Sequence, residues 1–440
     1  MDRRRTAPFR ADAAPQGPAA RARVRCLVFL LLAPLCSHLQ ACSKKSERAP
    51  LPLTIAMDSS PGPGVSEASP PEVSRNSTSP VPVTGAAVSF DAGVNGCRLI
   101  LGPVQQPWTG AATLVATGSA VELIVNKGGV PTISRLNLPP LRHPSPGRVV
   151  SELPPTRVSS PPCAVGADQI FCMDPEGIIL RTSRSGEPAV AVAKGRPGTR
   201  LAAATIAGSR AILAYLGDRK TTGGIVSEAY AFVDGAPPVR ISEEGSGATA
   251  VSLAPRGPGV LALLIDGRAA MTPVHARRLE LNEGRLDIGA DAVVFVGGGA
   301  ERHSSGVLAV GGAGTAFALV PISGEAGFGV AAVHLSDPPA LEEKVVWSTY
   351  PNGLDPAPIA ATTGSTPVRV ARLRPIDARP DSLRGVELGK LDGDGEFAPY
   401  GLISTVGRVS ALEVAADAAG ALWIYYVDAA GSWLERRLCP

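Results

Sequence analysis

The stretch Ser410–Leu438, SALEVAADAAGALWIYYVDAAGSWLERRL, decides the fold. Two Asp-Ala-Ala-Gly tetrapeptides, Asp417–Gly420 and Asp428–Gly431, divide it into three runs of strand-like texture. Aspartate opens such turns because its carboxylate accepts the turn's own backbone N–H. Glycine closes them because it tolerates positive φ in a bulged hairpin. The expected product is a three-stranded meander with Trp423, Tyr425 and Val427 on one face.

The plan of apolar run, small turn and apolar run recurs upstream. It appears as ATLVATGSAVELIVN from Ala112, CAVGADQIFCMD from Cys163 and LAAATIAGSRAILAYL from Leu201. It continues as TAVSLAPRGPGVLALLIDG from Thr249, VLAVGGAGTAFALVP from Val307 and PIAATTGSTPVRVARLRP from Pro358. With the unit from Ala411 these make about seven repeats at a spacing of about 50 residues, the sequence pattern of a β-propeller with about four strands per blade. The first run of most units is small (Ala, Gly, Val, Ser), as crowding round a central axis requires. The expected fold over 86–440 is therefore all-β: a β-propeller of seven blades, with six or eight as alternatives and tandem β-sandwiches as the competing architecture.

The remaining chain is a leader and a tether. Seven arginines against two aspartates precede and flank the apolar run Cys26–Leu39, which is too short to span a bilayer. A basic region and a short apolar run describe an export signal. The run ends in Leu39-Gln40-Ala41-Cys42, which resembles the lipobox of bacterial lipoproteins. The resemblance implies a signal peptide over 1–41, lipid attachment at Cys42 and, with Ser43 following, an outer-membrane lipoprotein facing periplasm or cell surface. Its membrane partner would be reached through that lipid. Residues 42–85 are rich in Pro, Ser and Gly without apolar periodicity, the composition of a disordered linker spanning roughly 35–40 Å.

Charge narrows the function. Loss of residues 1–41 takes the net charge from +3 to −2. A near-neutral chain without basic clusters argues against nucleic acid, which demands many phosphate contacts. A monomer with an envelope protein or glycan partner is expected.

Cys97, Cys163, Cys172 and Cys439 remain in the body. Export permits disulfides, and four cysteines allow three connectivities. Cys163 and Cys172 flank a two-residue turn at Ala167-Asp168, so a hairpin would bring them face to face. Cys97 would then pair with Cys439 and fasten the first and last segments of the ring.

Catalytic motifs are sparse. His143, His275, His303 and His334 show no metal-ligand spacing and read as surface or turn residues. The one ion-binding candidate is LDGDGEF, where Asp392, Asp394 and Glu396 could converge on Ca²⁺. No other cofactor is implied. The sialidase Asp-box is broken in VDAAGSW by an extra residue, and no other propeller family's signature recurs. The expectation is a non-catalytic binding or scaffold propeller. Its rival is a glycan hydrolase or lyase with carboxylates in the central funnel, drawn from Glu122, Asp266, Glu413 and Asp417.

Overall fold

The computed structural model describes residues 96–117, 120–137, 156–206, 210–267, 272–296, 306–324, 327–340, 344–350, 359–375 and 384–440. The leader, the tether and Cys42 lie outside the described residues. The described chain contains strands and no helix.

Its strands form seven consecutive antiparallel meanders. Blade 1 is Thr113–Thr117, Ala120–Lys127 and Val130–Asn137. Blade 2 is Ala164–Gly166, Gln169–Met173, Ile178–Ser183 and Val190–Lys194. Blade 3 is Ala202–Ile206, Arg210–Thr221, Gly224–Val233 and Val239–Arg240. Blade 4 is Ala248–Arg256, Gly259–Asp266, Val274–Asn282 and Arg285–Ile288, with Ala292–Phe295 also pairing Val274–Asn282. Blade 5 is Val307–Gly311, Ala316–Gly324, Gly327–His334 and Lys344–Tyr350. Blade 6 is Ile359–Ala361, Arg369–Pro375, Arg384–Leu391 and Phe397–Ser404. Blade 7 is Ala411–Ala416, Leu422–Asp428 and Gly431–Leu438, completed on its outer edge by Arg98–Gln105 from the start of the body.

The first strand of each blade touches the first strand of the next, and Ala411–Ala416 touches Thr113–Thr117, so the ring closes. Closure rules out tandem sandwiches and makes this a seven-bladed β-propeller. Buried apolar side chains fall into seven clusters, one in each seam between neighbouring blades. Period-2 alternation produces this, because successive side chains of a strand face opposite neighbours. Trp423, Tyr425 and Val427 share the seam with blade 1, as the meander predicted, while Leu422, Ile424 and Tyr426 face blade 6.

Both turns of the opening stretch form as expected. Asp417 Oδ1 accepts the N–H groups of Ala419 (2.9 Å) and Ala421 (3.0 Å), and Gly420 sits at φ +75°. The second carboxyl oxygen of Asp417 accepts Trp423 Nε1 at 3.0 Å and the Arg436 guanidinium at 2.7 Å. Asp428 likewise caps Ala430 N and Trp433 Nε1. Each turn carboxylate thus also satisfies a buried indole.

Two disulfides are present. Cys97–Cys439 joins residues beside the paired Arg98 and Leu438, with Cα atoms 4.1 Å apart. Cys163–Cys172 crosses the blade 2 hairpin at 4.4 Å, where Ala167 takes the left-handed turn conformation at φ +53°.

Candidate functional site

The inner strands that line the central channel read TLVAT, AVG, AAATI, ATAVSLAPR, VLAVG, IAA and ALEVAA. Their ionisable residues are Arg256 and Glu413. Arg256 spends its guanidinium on the carbonyls of Gly314, Leu335 and Ser336. Glu413 is bound by Arg200, which precedes the blade 3 inner strand and places Nη2 at 2.6 Å from Oε1. Blades 1 and 2 lie between blades 7 and 3 on the ring, so this ion pair spans the channel. Burial pushes the Glu413 carboxyl above the usual carboxylate range, and Arg200 offsets only part of that.

Where the inner strands begin, blade 3 projects a hairpin. Its inner strand ends its pairing at Ala202↔Ala214, yet the central pair runs on to Thr221↔Gly224. Seven further residue pairs lengthen it by about 23 Å at 3.3 Å per residue; Tyr215 and Leu216 stay buried in the blade seams, and the part from Asp218 to Ile225 is the largely exposed tip. Beside this hairpin lies an open groove of ≈ 520 Å³, lined by Arg196, Thr199, Leu216, Ile225, Ser227 and Thr249 among others. Arg196 and Arg200 belong to one connection, so the groove and the channel-spanning pair share a rim.

The other expected carboxylates hold structure together. Glu122 is buried between Arg135, 2.6 Å away in blade 1, and Arg184 beyond the third strand of blade 2. Burial raises its pKa, but the two guanidinium partners outweigh that and hold it below the ordinary value. Asp417 is the buried turn cap described above. Asp266 lies in the blade 3–blade 4 seam with His275 and Asp291 around a small cavity of ≈ 10 Å³. That is about the space one water needs, too small for a substrate.

His275 corrects the surface reading of the histidines. It sits within strand Val274–Asn282, 7% exposed, with Nδ1 2.6 Å from Asp291 Oδ2. His334 ends a blade 5 strand and packs edge-on against Phe317. His143 and His303 lie outside the described residues.

The sequence LDGDGEF forms an exposed turn. Asp392 Oδ1 accepts the N–H groups of Asp394 and Glu396 at 3.0 and 2.9 Å. Among the described residues no three His, Cys, Asp or Glu side chains gather to hold a metal, so the fold does not bring Asp392, Asp394 and Glu396 together as ligands.

Sequence reading missed Arg196, Arg200 and Ser227. The available signal was the length of the two runs RAILAYLGDRKT and GIVSEAYAFV, longer than a blade strand needs.

No family model matches the chain, and no curated protein matches it. Among solved structures it is similar to a protein of unknown function from Dyadobacter fermentans, at 10% identity over 79% of this chain and 100% of that one, with a TM-score of 0.46. The six-bladed β-propeller lectin of the fungus Aleuria aurantia is 12% identical over 62% of this chain and 90% of its own, with a TM-score of 0.36. A subtype N10 neuraminidase-like protein of a little yellow-shouldered bat strain is 10% identical over 63% of this chain and 94% of its own, with a TM-score of 0.40. At such identities the likeness concerns fold alone. The class is that of seven-bladed β-propellers.

Proposed function

We propose that this protein is a non-catalytic binding propeller of the cell envelope, held on a lipidated Cys42 and a flexible tether, which meets its ligand at the channel mouth. One observation carries the reading. The seven inner strands offer a single carboxylate, Glu413, and Arg200 already occupies it. Glycoside hydrolysis needs two carboxyl groups about 5–10 Å apart. The projecting hairpin and the groove beside it supply a recognition surface without that pair. Anchor, tether and outer-membrane placement come from the leader sequence, and the partner class is an envelope protein or glycan.

One observation favours the rival hydrolase or lyase. A carboxyl raised by burial, as at Glu413, is what a general acid requires. Its second carboxylate would have to come from a loop.

In-cell crosslinking followed by co-purification from the membrane fraction tests the binding reading. A reproducible partner, with a lipidated Cys42 peptide by mass mapping, is the expected result. Release of new reducing ends from envelope glycans, abolished by Glu413→Gln, would overturn it in favour of the hydrolase.

A further inference from the structure

We propose that the groove beside the blade 3 hairpin is a subsite for a carboxylate-bearing saccharide; this deepens the binding reading and rests on it. Paired residues of antiparallel strands share a face. Leu216↔Ala229, Asp218↔Ser227 and Lys220↔Ile225 therefore present one face of the hairpin, the face that lines the groove.

That face combines three chemistries. Ile225 is 68% exposed, the most exposed large apolar side chain among the described residues, and it offers a small apolar contact for the C–H face of a sugar ring. Ser227 is 6% exposed and its Oγ has no hydrogen-bond partner. A buried hydroxyl left unpaired is destabilising, a cost that a ligand hydroxyl removes. The Thr199 and Thr249 hydroxyls on the groove wall donate to the Arg196 and Ile265 carbonyls, which leaves their oxygens to accept. Arg196 is half-exposed, and its ion-pair partner Asp218 stands off at 3.9 Å. Its guanidinium lines the groove and carries the planar fork of donors that suits a carboxylate.

Size and charge select among ligands. A volume of ≈ 520 Å³ lies within the usual range for small-molecule sites and accommodates a short saccharide. Exposed Lys220 and Arg196 outnumber Asp218 by one charge, which favours a singly charged carboxylate over a doubly charged phosphate. The lining holds no aromatic residue, the usual anchor of a protein partner.

The test is calorimetric titration of the full-length protein with oligosaccharides of glucuronic or galacturonic acid, beside their neutral glucose and galactose counterparts. Uronate binding at least tenfold tighter than neutral binding is expected, and Arg196→Gln should abolish that preference. Ser227→Val should weaken both kinds. Arg196→Gln should melt with the parent, because Arg196 is half-exposed, whereas Ser227→Val, which removes an unpaired buried hydroxyl, should melt at or above it. Equal affinity for neutral sugars, or uronate binding indifferent to Arg196→Gln, would overturn the assignment. Absence of uronate binding together with a crosslinked partner would sink the groove proposal alone. Cleavage of the bound saccharide would sink the non-catalytic reading and leave the groove standing.

Discussion

Cys97 and Cys439, separated by 342 residues, are joined by a disulfide that binds the chain's first strand in the body to its last. The pairing of Arg98–Gln105 with Gly431–Leu438 is the closure of the ring, and the bond fastens its end.

Chain entropy makes the two disulfides unequal. A loop of 342 residues gives a nominal ~6 kcal/mol, against ~3 kcal/mol for the loop of 9 between Cys163 and Cys172. Cys97→Ser with Cys439→Ser should lower the denaturation midpoint more than Cys163→Ser with Cys172→Ser. Guanidinium melts of both double variants decide it. Equal losses would mean that strand pairing alone closes the ring.

Asp417 and Asp428 occupy equivalent turns but carry different loads. Arg436 is 1% exposed and pairs with Asp417 at 2.7 Å, so Asp417→Asn takes a carboxylate away from a buried cation. The expected loss is about 3–5 kcal/mol. Asp428 serves N–H donors of Val406, Ala430 and Trp433, so Asp428→Asn should cost nearer ~1 kcal/mol. Chemical denaturation of the two variants checks the ratio. A similar cost for both would mean that water reaches Arg436.

These turns also show what a sequence can reveal. Asp417, Gly420 and Trp423 act within seven residues, so spacing alone exposed them. The small inner strands and the seven anchors were legible for the same local reason. The groove was not, because Arg196, Ser227 and Thr249 meet only when blades 2, 3 and 4 stand side by side. Glu122 and Glu413 looked alike in sequence. Arg184, 62 residues away, makes one a structural anion, and Arg200, 213 residues away, leaves the other a channel group. His275 was misread because its partner Asp291 lies 16 residues on, past the hairpin of Leu281↔Leu286.

The His275–Asp291 pair should be visible in the pH dependence of stability. The hydrogen bond to Asp291 raises the His275 pKa above 6.5, burial opposes this, and the Asp291, Glu243 and Asp266 charges add to the rise. Arg277 holds the far oxygen of Asp291 at 2.7 Å. A raised histidine stabilises the fold fully below its unfolded pKa, and that contribution is lost as pH rises through the folded value. The stability difference between the parent and His275→Gln should therefore be largest below the unfolded pKa of about 6.5 and shrink as pH rises through the higher folded value. Urea titrations across that range measure it. A difference that grows with pH would show that the imidazole is buried neutral.

Glu413 should behave in the opposite sense to an ordinary salt-bridged carboxylate. Its folded pKa is raised, so the fold binds this proton more tightly than the unfolded chain does. The stability it confers is then present below its unfolded pKa of about 4.5 and declines as pH rises through the folded value. Glu413→Gln removes a charge that burial disfavours, so the variant should be at least as stable as the parent at pH 7. Arg200→Gln removes the one cation that lowers this pKa, and should move the Glu413 titration further up. Carboxyl-carbon NMR titration of the parent and of Arg200→Gln measures both. A Glu413 midpoint below about 4.5 in the parent would mean that water screens the channel and that Arg200 dominates.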